Sequence, residues 1–75
     1  MIRVLVKKLL DDKNFNESSK ITLNQVAEET GISRPTLNRI VNQPGYKTNT
    51  DAINALCHFF DCTPNELLEY KRDDE

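Results

Sequence analysis

Thr22-Leu23-Asn24-Gln25-Val26-Ala27-Glu28-Glu29-Thr30-Gly31-Ile32-Ser33-Arg34-Pro35-Thr36-Leu37-Asn38-Arg39-Ile40-Val41 reads as two short helices joined by a tight turn. Thr22 followed three residues later by Gln25 is a capping box, in which the hydroxyl accepts from the Gln25 amide and the Gln25 side chain reaches back. Val26 and Ala27 then face inward, and Gly31 ends the helix because glycine tolerates the left-handed backbone that a helix stop often needs. Ser33 caps the next helix, whose first turn accepts Pro35 because it donates no intrahelical bond there. Leu37, Ile40 and Val41 form its buried face, and the breaker Pro44-Gly45 makes it fade near Asn42–Gln43. So short a join requires a glycine in the turn and a small residue, Ala27, where the helices cross. This is a helix-turn-helix over 22–42, and it leaves the outer face of the second helix free to enter a DNA major groove.

Working outward, Ile2, Leu5, Val6, Leu9 and Leu10 fall on one helical stripe. Alternation of Ile2, Val4 and Val6 adds a short extended N-terminal arm before a helix from about Val4 to Asp12. Residues 13–21 are polar, rich in Asn and Ser, and read as the longest loop, with Phe15 and Ile21 as its anchors to the core. A fourth helix starts at Asn49 or Thr50 and carries Ile53, Leu56, Cys57 and Phe60 inward. Thr63-Pro64-Asn65-Glu66 opens a fifth, with proline in the first helical position and Leu67 and Leu68 fastening it to the core. After Tyr70 the residues 71–75 read as a charged, frayed tail. Five helices with no sheet make an all-α domain over residues 1–70.

The outer face of the helix that starts at Ser33 offers Arg34, Pro35, Thr36, Asn38 and Arg39, and no acid. Arginine presents a fork that matches guanine O6 and N7, and asparagine pairs with adenine N6 and N7. A threonine methyl or a proline ring packs on the thymine methyl. The whole chain nonetheless carries ten Lys+Arg against twelve Asp+Glu, a net −2 with pI near 5.3, which by itself argues against a polyanion as partner. The distribution reverses that inference. Residues 33–50 contain Arg34, Arg39 and Lys47 without an acid, whereas residues 61–75 hold six acids against Lys71 and Arg72. The acidic C-terminal end is expected to face away from a duplex met by the basic segment.

The run from Thr22 to Val41 resembles the helix-turn-helix of phage repressor and Cro-like regulators, the XRE family. The stretch Leu56-Cys57-His58-Phe59-Phe60-Asp61-Cys62-Thr63-Pro64-Asn65-Glu66-Leu67-Leu68-Glu69-Tyr70 looks like a small single-domain bacterial branch of it. The resemblance implies a five-helix lambda-repressor-like fold that binds palindromic operator DNA as a homodimer, a cytoplasmic transcriptional regulator acting as repressor or autoregulator. It implies base contacts from Ser33, Arg34, Pro35, Thr36, Asn38 and Arg39, and phosphate contacts from Thr22, Tyr46, Lys47, Thr48 and Asn49. In two places the chain departs from the family. Leu23 stands where many members have a phosphate-binding glutamine, and loop 13–21 is longer than usual.

Other function classes find little support. Cys57, His58 and Cys62 fall short of the four ligands of structural zinc, and Cys57 lies on the apolar stripe as a small buried hydrophobe. Two cysteines five apart do not form the disulfide framework of a small secreted domain, and no apolar run approaches the ~18 residues of a membrane span. No Gly-rich phosphate loop and no histidine beside a nucleophile are present, so neither an enzyme nor a cofactor is expected. The rival class is a protein-interaction module, such as an antitoxin-like partner using the same fold.

Overall fold

A computed structural model describes residues 1–74. In chain order the elements are β1 (Ile2–Val4), α1 (Val6–Glu17), α2 (Leu23–Thr30), α3 (Arg34–Asn42), α4 (Thr50–Phe60), α5 (Pro64–Leu67) and β2 (Leu68–Tyr70). Every helix contributes at least one side chain to a single core of Val6, Leu10, Val26, Leu37, Ile40, Leu56 and Leu67. No polar or charged residue among the described residues is fully buried, so nothing in the core needs a hydrogen-bond partner. Burying each Leu, Ile or Val contributes roughly 1.5–3 kcal/mol, and seven such groups set the scale of stability for a chain this short.

The five expected helices are present, with α2 and α3 bounded as the caps dictate, but α1 is longer than its apolar stripe. It runs to Glu17 and reduces the expected loop to residues 18–22. The pairs Lys7–Asp11 (4.0 Å), Lys8–Asp12 (3.8 Å) and Lys13–Glu17 (2.8 Å) line its exposed side, each worth a few tenths of a kcal/mol. Asn14 matters more. Its Oδ1 accepts from the Ile21 amide at 2.9 Å and the Ser19 hydroxyl at 3.0 Å, while Nδ2 donates to the Ile21 carbonyl at 3.1 Å. The polar residues that suggested a loop are therefore the ones that tie the helix end to the next segment. Ser18 closes the helix in the left-handed region, at φ 50°. Extending the helix puts Phe15 on the side opposite Val6 and Leu10, and it is 85% exposed rather than an anchor; Ile21 packs against the core as expected.

The second correction is a sheet where none was expected. α5 stops after one turn, and Leu68–Tyr70, read as helix, pairs antiparallel with the N-terminal arm in the register Ile2↔Tyr70, Arg3↔Glu69, Val4↔Leu68. The arm was legible from its β-branched alternation; its partner lies more than sixty residues away in the chain and carried no local signal. The Leu5 amide donates to the Leu67 carbonyl at 2.8 Å and the Lys71 amide to the Met1 carbonyl at 2.9 Å, extending the ladder at both ends. On one face of the ribbon Arg3 meets Glu69 at 3.0 Å, and on the other Val4 and Leu68 pack against the core. In the segment read as a tail, Lys71 and Asp73 both bond the Met1 amino group, at 2.6 and 2.7 Å; Glu75 lies outside the described residues.

Leu37 has no exposed surface and sits on the helix that must be held in place for any surface role. Leu37→Ala is expected to destabilise the domain by about 2–5 kcal/mol, and Phe15→Ala by no more than about 0.5 kcal/mol, in chemical denaturation.

Candidate nucleic-acid interface

The geometry of the α2–α3 corner follows from a few short bonds. Thr22 Oγ1 accepts from the Gln25 amide at 3.3 Å, so the first half of the expected capping box forms. At the other end Gly31 adopts φ 76° and its amide bonds the Ala27 carbonyl at 3.0 Å. Thr30 adds a link the sequence reading missed. Its hydroxyl donates to the Val26 carbonyl at 2.7 Å and accepts from the Ile32 amide at 3.3 Å, so one side chain spans the turn. Ser33 then caps α3, accepting from the Thr36 amide at 3.4 Å while its own hydroxyl donates to Thr36 Oγ1 at 2.9 Å.

Of the residues expected to read bases, Ser33, Pro35 and Arg39 are exposed and Arg34, Thr36 and Asn38 are half-buried. Arg34 is not the freely projecting side chain that an outer-face reading implies. Its Nη1 donates to Asn24 Oδ1 at 2.7 Å, and its Nε is shielded from solvent without a partner. The first residue of α3 is thereby tied to the second residue of α2. That tie fixes the direction of the guanidinium before any ligand arrives, and it uses Asn24, a residue that sequence reasoning passed over. Two residues brought together by the crossing of two helices leave no mark in either helix alone.

The residues expected to hold phosphates are less uniform. Thr22, Lys47, Thr48 and Asn49 are exposed, and Tyr46 packs partly into the core. Asn49 has a structural duty as well, because its Oδ1 caps α4 by accepting from the Ala52 amide at 2.8 Å. Its Nδ2 donors remain available. Part of each expected set meets in one open cleft of about 570 Å³. Gly31, Ile32, Ser33 and Thr36 line one side, and Tyr46, Lys47, Thr48, Asn49 and Asp51 the other. Asp51 places an acid at the border of the otherwise acid-free segment. Thr22 and the residues Arg34, Pro35, Asn38 and Arg39 lie outside this cleft.

A tight glycine turn, two capped helices and a polar cleft against the following loop are the parts of a groove-reading module. Residues 6–73 match the model of the Cro/C1-type helix-turn-helix DNA-binding domain. The chain belongs to this family. A Cro/C1-type domain binds double-stranded DNA and is not a class of enzyme. The chain is also similar to the uncharacterized HTH-type transcriptional regulator YozG of Bacillus subtilis (strain 168), at 25% identity over 56 residues, covering 75% of this chain and 67% of that protein. No solved structure matches it. Among the described residues of this Cro/C1-type domain, no helix is long and apolar enough to cross a membrane.

The turn offers a direct check on the domain's geometry. A Cβ at Gly31 would meet nothing within 4 Å, so its requirement for glycine is one of backbone conformation alone. Gly31→Ala is expected to cost ~1–2 kcal/mol and Gly31→Asn distinctly less, because asparagine enters the left-handed region more readily. Denaturant midpoints of the two variants measure the difference.

Proposed function

We propose that this chain is a sequence-specific transcriptional regulator of the cytoplasm, a repressor or autoregulator, that reads the major groove with α3. The observation that carries the reading is that the start of α3, through Ser33 and Thr36, shares one open cleft with the loop Tyr46–Asn49. The first offers a guanidinium held in direction by Asn24; the second offers Lys47 and exposed hydroxyl and amide donors. In this reading Ser33, Arg34, Pro35, Thr36, Asn38 and Arg39 meet base edges, and Thr22, Tyr46, Lys47, Thr48 and Asn49 meet phosphates. Residues 1–70 form the working unit. The similarity to a protein named as a transcriptional regulator supports regulation as the purpose of DNA binding.

The roles separate experimentally. Arg34→Ala should cost ~1–3 kcal/mol on the preferred site and relax preference at one base position. Lys47→Ala should weaken binding to all sequences alike and flatten the salt slope by about one unit. Fluorescence-anisotropy titrations on specific and random duplexes at several salt concentrations distinguish them, and equal losses on both duplexes for Arg34→Ala refute base reading.

The domain acts as a homodimer on a palindromic operator, with half-sites about one helical turn apart. Among the surfaces open to a second copy, Phe59 is already engaged, edge-on to Phe60 with ring centroids 5.0 Å apart. The end of the ribbon is free: Ile2 and Tyr70 oppose one another across the strands and are 55% and 71% exposed. Selection of bound DNA from a random pool should return a palindrome, and sedimentation should show two chains on it. A single chain in ultracentrifugation, both free and on the selected duplex, would overturn the dimer.

A further inference from the structure

Cys57 and Cys62 are the chain's two cysteines, and neither belongs to the DNA-binding surface. They stand at the far end of α4, where the helix stops by a specific arrangement of backbone bonds. Asp61 takes the left-handed conformation at φ 51°. Its amide bonds the His58 carbonyl at 3.3 Å, and the Cys62 amide reaches back to the Cys57 carbonyl at 3.0 Å. These are the two bonds of a Schellman stop, in which the side chains at the ends of the longer bond come into contact. In most helices that contact is between two hydrophobes. Here it is between two thiols.

The same bond limits how far apart the two residues can be. With standard covalent lengths on either side of a 3.0 Å N···O separation, the Cα atoms lie within about 7 Å of each other. A disulfide needs ~4.4–6.8 Å between Cα atoms. Both residues pack at the edge of the core, and both thiols are free. Cys62 also lines a shallow surface groove of about 200 Å³ with Leu9, Lys13, Phe60 and Glu66, through which a small molecule reaches it. The chemistry of the pair agrees with this geometry. Burial first, and then the adjacent Cys57 thiol, push the Cys62 thiol up to about 11, so it stays protonated at neutral pH.

We propose that Cys57 and Cys62 form a dithiol site that a low-molecular-weight disulfide oxidises to an intramolecular cross-link. Cys62, reached through the groove, gives its proton to solvent and attacks one sulfur of the oxidant, forming a mixed disulfide and releasing one thiol. Cys57 then gives its proton to solvent and attacks Cys62 Sγ, expelling the second thiol. Two protein thiols are oxidised and one small disulfide is reduced to two thiols. The product bridges the last turn of α4 to the residue before the Thr63 cap of α5. It fixes the corner from which the chain proceeds to β2 and its pairing with β1. Because the fold holds the thiols together, closure is favoured over closure in the unfolded chain. By the thermodynamic cycle, the cross-link favours folding by the same factor.

The test equilibrates the full-length chain with graded ratios of reduced to oxidised glutathione, in buffer and in concentrated urea, followed by alkylation and intact-mass measurement. In buffer the expected product is a monomer two hydrogens lighter that takes no alkyl group. Its equilibrium constant against glutathione should exceed that in urea by about tenfold or more. The oxidised chain should unfold at a correspondingly higher temperature. Cys57→Ser and Cys62→Ser should each stop at a mixed disulfide with glutathione. Full alkylation of the native chain at every ratio, a smaller advantage over urea, or disulfide-linked dimers in place of the internal bond would overturn the proposal.

Discussion

Among the described residues, no helix is long enough to hold itself together. The longest has twelve residues and the shortest four, while isolated helices below ~12–15 residues are marginal in water. Each exists because one face is buried against the others. That burial converges on Val26, Leu37 and Leu56, which have no exposed surface and come from α2, α3 and α4. Helix formation and tertiary packing are therefore one event in this molecule. Loss of the Leu37 contact leaves α3 held to the core by Ile40 and Val41 alone.

The surface proposed to meet DNA is a consequence of that constraint. With Leu37 and Ile40 committed to the core, α3 has only one orientation, and Ser33, Pro35 and Arg39 point away from the core. The Asn24–Arg34 bond adds direction to a side chain that would otherwise sample many rotamers. In the proposed role, ordering that guanidinium in advance lowers the conformational entropy lost on binding. The net charge of −2 does not describe the segment 33–50, which carries Arg34, Arg39 and Lys47 and no acid. Asp11, Asp12 and Glu17 pair along α1, Glu69 pairs with Arg3 on the ribbon, and Asp73 and Asp74 close on nearby cations. Asp51, just after that segment, stands at the cleft border.

The parts of this fold readable in advance are those encoded within four residues. Thr22, Ser33 and Asn49 each accept from a backbone amide three positions on, Glu66 reaches back three positions to the Thr63 amide, and Gly31 supplies a left-handed stop, so each announces a helix end directly. Polarity misled where a side chain bonds further off. Asn14 looks like a loop residue, yet it lies inside α1 and accepts from Ile21 seven residues on, tying the last turn to the next segment. Phe15 was misplaced for a related reason: its size suggested burial, but the continued helix turned it to solvent. In the candidate site the residue types and the face they share were legible. The half-burial of Arg34, the capping duty of Asn49 and the role of Thr30 in the turn were not.

The amino-acid order alone determined the number of helices, the position of the sharp turn and the separation of the basic segment from the acidic one. These follow from local backbone preference, capping and periodicity, which act over a few residues. Only the tertiary structure decided that Leu68–Tyr70 is a strand, that Arg34 leans on Asn24, and that Ser33 and Thr36 share a cleft with Tyr46–Asn49. Each of these joins residues distant in the chain or on different helices. Leu68-Glu69-Tyr70 can form a helix or a strand by its own preferences. The unpaired backbone of Ile2–Val4 beside it decides between them, because pairing satisfies the N–H and C=O groups of both segments at once.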